Sequence, residues 1–219
     1  MNTADHARHS GHLTPAGLER RLKRRLLKEP CRFLAICTPG LEAIVNKELA
    51  RLGCSEPTPI HGGVEFSGGL DLMYTVNLHS RTATRLLLRI DTFTARSYPE
   101  LFNKTKRINW ELYLGFAGEI ALNVTAKRSR LHHEKNVAQA IFDGIHEVMG
   151  SLGVAVKRSE EAALTIFARF YDDSCTLSID TSGEALYRRG YREAGRDHRR
   201  RRRAGEGQRA GEHLPADGG

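Results

Sequence analysis

Apolar positions along the first half of this chain predict strands and helices in a definite order. Residues 32–37 (RFLAIC) read as a strand, and Pro39-Gly40 turns the chain into a helix. That helix carries Leu41, Ile44, Val45, Glu48, Leu49 and Leu52 at helical spacing, with Gly53 as its C-terminal stop. Two short strands, 57–60 and 63–66, follow across His61-Gly62-Gly63. Leu70 to Leu78 is a second amphipathic helix, and 84–94 (TRLLLRIDTFT) is a long strand rich in β-formers. The order β-α-β-β-α-β is that of a ferredoxin-like unit, complete near residue 95.

A second unit follows. Residues 98–114 are helical in two pieces, with Trp110 as the largest apolar anchor, and 119–125 (EIALNVT) alternates as a strand. Residues 134–150 form a helix with Val137, Ala140, Ile141, Ile145 and Val148 on one face, stopped by Gly150 or Gly153. Strands 163–171 and 175–180 flank Asp172-Asp173-Ser174 as a hairpin. The fold class predicted is α+β, two packed units over 31–95 and 96–182.

The ends read differently. Residues 1–17 are polar and aperiodic and are expected to be mobile, with ordered structure beginning at Arg32. Between them, residues 18–28 place Leu18, Leu22 and Leu26 on one stripe of a basic helix that Pro30 ends, within a basic extension over 1–30. Residues 183–195 form a polar, basic connector. From 196 to 219 the chain is Arg/Gly/Ala/Glu low complexity that cannot bury a core and is expected to be disordered.

Charge sharpens the picture through its distribution. The formal charge is +8, yet residues 31–80 sum to −2, 81–135 to +6 and 136–185 to −5, with +4 and +5 at the two ends. Within the folded middle, one central stretch is positive, and a polyanion belongs there. Arg81 and Arg85 lie four apart, Lys104, Lys106 and Arg107 crowd one helix end, and Lys127, Arg128 and Arg130 follow a strand. His133 and Lys135 open the next helix, whose N-terminus adds N–H donors. Such cations bind a phosphate chain by releasing its counterions, and arginine also stacks on unpaired bases. The bland alternative is dispersed, solvated charge.

Other chemistry is faint. Cys31, Cys37, Cys54 and Cys175 are scattered without a C-x-x-C pair, which points to buried thiols in a reducing cytoplasm and to no zinc site. GEGQRAG (205–211) lacks the strand and helix that a phosphate loop needs. His6, His9 and His12 sit in a polar tail, and no Ser/His/Asp or paired-carboxylate arrangement is legible. No apolar run approaches the roughly 20 residues that span a bilayer, and no secretory signal is visible.

Five segments in sequence, PGLEAIVNKELARLG, HGGVEFSG, LHSRTATRLLLRI, Trp110 and SIDTSGEALYRRGYR, carry a family resemblance. Over residues 32–195 the chain resembles the N-terminal half of the large-subunit rRNA guanine-N2 methyltransferases. The resemblance implies a ferredoxin-like domain followed by a THUMP RNA-binding domain. It implies structured RNA as partner, 23S rRNA first, and places Arg188, Arg189 and Arg192 of LYRRGYR just before the family's catalytic domain. That domain uses S-adenosylmethionine. Two departures stand out. Where many relatives carry a lysine-aspartate-alanine-isoleucine run, this chain reads Ala138-Gln139-Ala140-Ile141, which removes one basic contact. After GYREAG the chain reads RDHRRRRRAGEGQRAGEHLPADGG, with no glycine-rich cofactor loop and no Asn-Pro-Pro-Tyr motif. The expectation is a frameshifted or truncated reading frame, with a stand-alone module carrying a basic tail as the other origin: in either case an RNA-binding module that by itself takes no cofactor and catalyses nothing. An active enzyme completed by another chain, and a protein-interaction module, are the alternatives.

Overall fold

In the computed structural model, which describes residues 12–183 and 185–188, each strand and helix expected between residues 31 and 182 forms within about two residues of its expected bounds. The first unit runs β1 (Cys31–Ile36), α2 (Glu42–Arg51), β2 (Ser55–Ile60), β3 (Gly63–Gly68), α3 (Leu70–His79) and β4 (Arg85–Thr94), after α1 (Pro15–Arg25). The second runs α4 (Tyr98–Thr105), α5 (Glu111–Leu114), β5 (Glu119–Lys127), α6 (Glu134–Ser151), β6 (Lys157–Arg158), β7 (Thr165–Tyr171) and β8 (Ser174–Asp180), before a 3₁₀ turn at Leu186–Arg188.

The two units share one sheet. Its order is β2-β3-β1-β4-β8-β7-β5-β6. Strand β4 is long enough to serve both units. Its first half pairs antiparallel with β1, Leu88 facing Phe33, and from Leu87 onward it also pairs with β8, Phe93 facing Cys175. A register shift between Arg89 and Asp91 marks the handover. Strands β5 and β7 lie parallel, as a strand–helix–strand crossover through α6 requires. The β7–β8 hairpin turns on Asp172 and Asp173, both at positive φ (48° and 61°), which short Asp side chains tolerate.

Alternation puts both apolar clusters on the helical face of this sheet. Phe33, Leu86 and Leu88 pack against Val45 and Leu49 of α2 and Val76 of α3. Ile120, Ile166, Phe170 and Leu177 pack against Leu101 of α4 and Ile141, Ile145 and Met149 of α6.

Order begins earlier than the periodicity implied. Thr14 caps α1 by accepting from the Gly17 N–H (3.1 Å), the Leu13 N–H donates to Leu152 O (2.8 Å), and Leu13 joins the core. Arg21 pairs with the buried Glu111 at 2.9 Å. The physical reason is a Thr-Pro cap and one apolar side chain that docks on the second unit, features too short to show as periodicity. Residues 1–11 and 189–219, with the calls made on them, lie outside the described residues.

Glu48, which fell on the apolar stripe of α2, shows why a charge sits there. Its carboxylate accepts from Ser80 Oγ (2.9 Å), from the N–H groups of Arg81 (2.7 Å) and Thr82 (3.3 Å), and from Thr82 Oγ1. Burial works to raise its pKa, but these donors outweigh burial and hold it below the usual value of 4.5. A carboxyl depressed in the folded state stabilises fully above its unfolded pKa and loses that contribution as pH falls through the lower folded value. Glu48→Gln is therefore expected to lower the melting temperature at pH 7, with the gap to the parent closing below about pH 4. Thermal melts across pH 3–7 check this; a constant gap would refute it.

Candidate nucleic-acid interface

The loop from β5 to α6 carries the densest group of expected cations. Lys127 ends β5 opposite Tyr171 of β7, Arg128 bends the chain at φ 51°, and α6 starts after His133 with no side chain capping it. Arg128 Nη1 donates to Tyr171 Oη (3.1 Å), and its guanidinium lies 5.6 Å from that ring's centre. Asp173 organises the loop. Its carboxylate accepts from the Arg130 N–H (2.8 Å) and pairs with Arg130 (3.8 Å) and Arg96 (3.5 Å), while its own N–H donates to Ser129 Oγ (3.1 Å). Lys127 and Lys135 are exposed and make no ion pair among the described residues. The His132 and His133 rings lie in tilted contact, centres 4.1 Å apart and planes at 43°.

The resulting balance favours an anion. Arg128 and Arg130 remain 71% exposed despite their partners Asp172 and Asp173. The Arg128–Asp172 pair is exposed on both sides and contributes only about 0–1 kcal/mol, so a phosphate can take the place of Asp172 while Asp173 goes on holding the loop. The unfilled N–H donors of the first turn of α6 point to the same place. Arg96, which charge counting along the chain did not single out, joins the group because the Ala95 N–H binds Asp173 O (2.9 Å).

The other expected cations lie elsewhere. Lys106 pairs with Glu147 near the far end of α6 and covers the Phe102 ring, and Arg107 is exposed beside it. Thirteen residues of helix separate Glu134 from Glu147, about 20 Å at 1.5 Å each. Lys104 turns back toward the loop, donating to Thr94 O (2.5 Å) and Glu100 (2.7 Å). Arg85 opens β4 and Arg81 precedes it, roughly 30 Å from the loop by strand rise, and the turn that carries Arg188 reaches the same end through the Leu186 N–H, which donates to Thr84 O (2.9 Å). Arg85 is committed to structure, paired with the buried Asp180 and donating to Gly183 O (3.0 Å). Arg189 and Arg192 lie outside the described residues. The central positive stretch is thus three patches rather than one.

Among the described residues no three His, Cys, Asp or Glu side chains gather as metal ligands, and no helix is long and apolar enough to cross a membrane. The four cysteines are free and buried, and burial pushes Cys54 up to about 11.

Comparison with known proteins places these features. Residues 32–87 match the RlmL ferredoxin-like domain and residues 95–180 the THUMP domain. The chain is 32% identical over 166 residues to a putative RNA methyltransferase, slr0064, of Synechocystis, covering 74% of this chain and 43% of that protein. It is 33% identical over 166 residues to the ribosomal RNA large subunit methyltransferase K/L of Methylococcus capsulatus, covering 74% and 22%. Among solved structures it is similar to a predicted N6-adenine-specific DNA methylase from Listeria monocytogenes, with TM-score 0.68 and 30% identity over 75% of this chain and 43% of that one. A putative methyltransferase, SMU.472, complexed with SAH has TM-score 0.67 and 26% identity over 75% and 45%. The chain therefore spans less than half the length of these relatives.

Proposed function

We propose that this chain, which carries the RlmL ferredoxin-like and THUMP domains and is similar to large-subunit rRNA methyltransferases over less than half of their length, grips structured rRNA for a methyl transfer performed outside these residues. The observation that carries this reading is the β5–α6 loop, where Lys127, Arg128 and Arg130 stand exposed beside the uncapped start of α6. Lys135, His133 and Arg96 extend the same surface. A phosphate bound there replaces a weak intrachain partner, Asp172, so the loop is prepared for a polyanion.

Within this reading the target is 23S rRNA in the cytoplasm, and the methyl donor is S-adenosylmethionine held by a separate catalytic part. This chain carries no G-x-G-x-x-G loop and no Asn-Pro-Pro-Tyr run to hold that cofactor or a guanine amine. Its role is delivery: the folded pair fixes the RNA and so sets which base reaches the chemistry.

Salt titration tests the grip. Five consecutive arginines at 199–203 bind any polyanion, so the measurement uses a chain ending near Arg192. With about four to six phosphates contacted, log affinity for rRNA fragments falls against log salt with a slope of roughly −3 to −5. Absence of binding at low salt would assign RNA affinity to the arginine tail alone.

A further inference from the structure

The sheet face opposite the helices carries a group of side chains that neither core uses. Alternation on β7 places Phe167, Arg169 and Tyr171 there, at steps of roughly 7 Å. Cross-strand register extends the surface: Arg32 faces Arg89, Arg89 faces Ser178, Ser178 faces Phe167, and Phe167 faces Asn123. A cavity of about 160 Å³ opens on this face, lined among others by Phe167, Arg89, Arg169, Asn123 and Ser178. Tyr171 is 43% exposed, large for an aromatic ring, and carries Arg128 against its face.

The geometry points to this face as a stacking platform for an unpaired RNA segment, with bases on Phe167 and Tyr171 and phosphates on Arg169, Lys127 and Arg128. The inference rests on the RNA-binding reading and deepens it by naming a single-stranded element next to the structured one. Three observations favour RNA over a protein occupant. The cations around the rings are opposed by few acids, and Glu65 is already committed to Arg89 at 2.8 Å. Arg169 is exposed and makes no ion pair among the described residues. Arg89, with 12% of its side chain exposed, donates to Ser178 Oγ (3.3 Å) yet keeps its Nε buried without a partner. An anion on this face would satisfy positive charge that the fold leaves in excess. Rings about 14 Å apart along β7 with a guanidinium between them suit bases two nucleotides apart on an extended strand, because every base offers a π-face and the intervening phosphates need a cation. The face is continuous with the β5–α6 loop through Lys127, which pairs in register with Tyr171.

The test uses the full chain and two RNAs with equal numbers of phosphates. One is a blunt hairpin; the other is a shorter hairpin with an unpaired arm carrying 2-aminopurine. The parent is expected to prefer the armed RNA by about tenfold or more and to quench the 2-aminopurine on binding. The double variant Phe167→Leu/Tyr171→Leu keeps apolar volume on the strand but removes both ring faces. It should lose the preference and the quenching, while Phe167→Leu alone, which leaves the Arg128–Tyr171 contact in place, should lose part of both and bind the blunt hairpin as the parent does, with circular dichroism melts verifying both folds. Arg169→Glu should lose the same preference without touching an aromatic. Equal affinity of the parent for the two RNAs, or a preference and quenching unchanged in the double variant and in Arg169→Glu, overturns the platform and leaves the face to a protein. A parent that binds neither RNA overturns the RNA-binding reading itself.

Discussion

Reversing the three loop cations together, Lys127→Glu, Arg128→Glu and Arg130→Glu, is expected to weaken rRNA-fragment binding by about 100-fold or more at low salt and to flatten the salt dependence by about three in slope. Each reversal removes a counterion-releasing contact and sets a carboxylate against the phosphate chain. The fold should survive, because all three side chains are exposed, the Arg128–Asp172 pair is a surface pair of small worth, and Asp173 keeps the Arg130 backbone N–H and Arg96 as partners. Filter binding and a thermal melt of a chain ending near Arg192 measure both sides of the claim. A control sharpens it: Lys106→Glu with Arg107→Glu alters charge about 20 Å away along α6 and should cost far less. Equal losses from the two sets would mean an interface that spans both patches. A triple variant that binds like the parent would move the site away from the loop.

The control is informative because the sequence grouped cations that the fold separates. Lys104, Lys106 and Arg107 are neighbours of Lys127 in a charge count, yet Lys106 meets Glu147 at the far end of α6. A linear count cannot know which acid faces a given base across the structure. Arg85 makes the same point, since its partner Asp180 is 95 residues away. Conversely, Arg96 reaches the loop only because β4 ends against the β7–β8 turn.

Local pattern was the more legible part. Strands and helices between residues 31 and 182 follow from period-2 and period-3.6 apolar spacing, and the ferredoxin-like order β2-β3-β1-β4 follows from their succession. What spacing does not encode is pairing between distant strands. That β4 continues into β8, merging two units into one sheet, is a long-range fact carried by complementary edges. Strand β6 is two residues long and has no period to read. The aromatic–cation face of β7 was present in the alternation of TIFARFY, but its meaning required knowing which face the helices cover.

Trp110 was legible as an anchor, and its removal should have the largest effect on stability. The side chain is fully buried, and its Nε1 donates to Thr105 O at 2.8 Å, closing the turn that joins α4 to α5. It sits in the cluster that holds Leu101, Ile141 and Ile145 between the helices and the sheet. Trp110→Ala leaves a cavity and is expected to cost about 3–5 kcal/mol. Against a typical total of about 5–15 kcal/mol, that loss brings the chain close to unfolding. The urea midpoint, followed by circular dichroism, should fall by about 1–2 M for a slope of 2–3 kcal/mol per molar. Trp110→Phe separates the two contributions. It keeps most of the ring but removes the shorter of the two hydrogen bonds to the Thr105 carbonyl, which the Ile108 N–H still reaches at 3.2 Å, and should cost about 0.5–1.5 kcal/mol. The RNA surface provides an independent readout, since α4 also carries Lys104, whose ammonium holds the end of β4 at Thr94 O. Loosening α4 should therefore weaken rRNA binding only as the folded fraction falls, and low temperature should restore it. A Trp110→Ala chain within about 1 kcal/mol of the parent would mean that the second unit draws its stability from the shared sheet rather than from the helices packed on it.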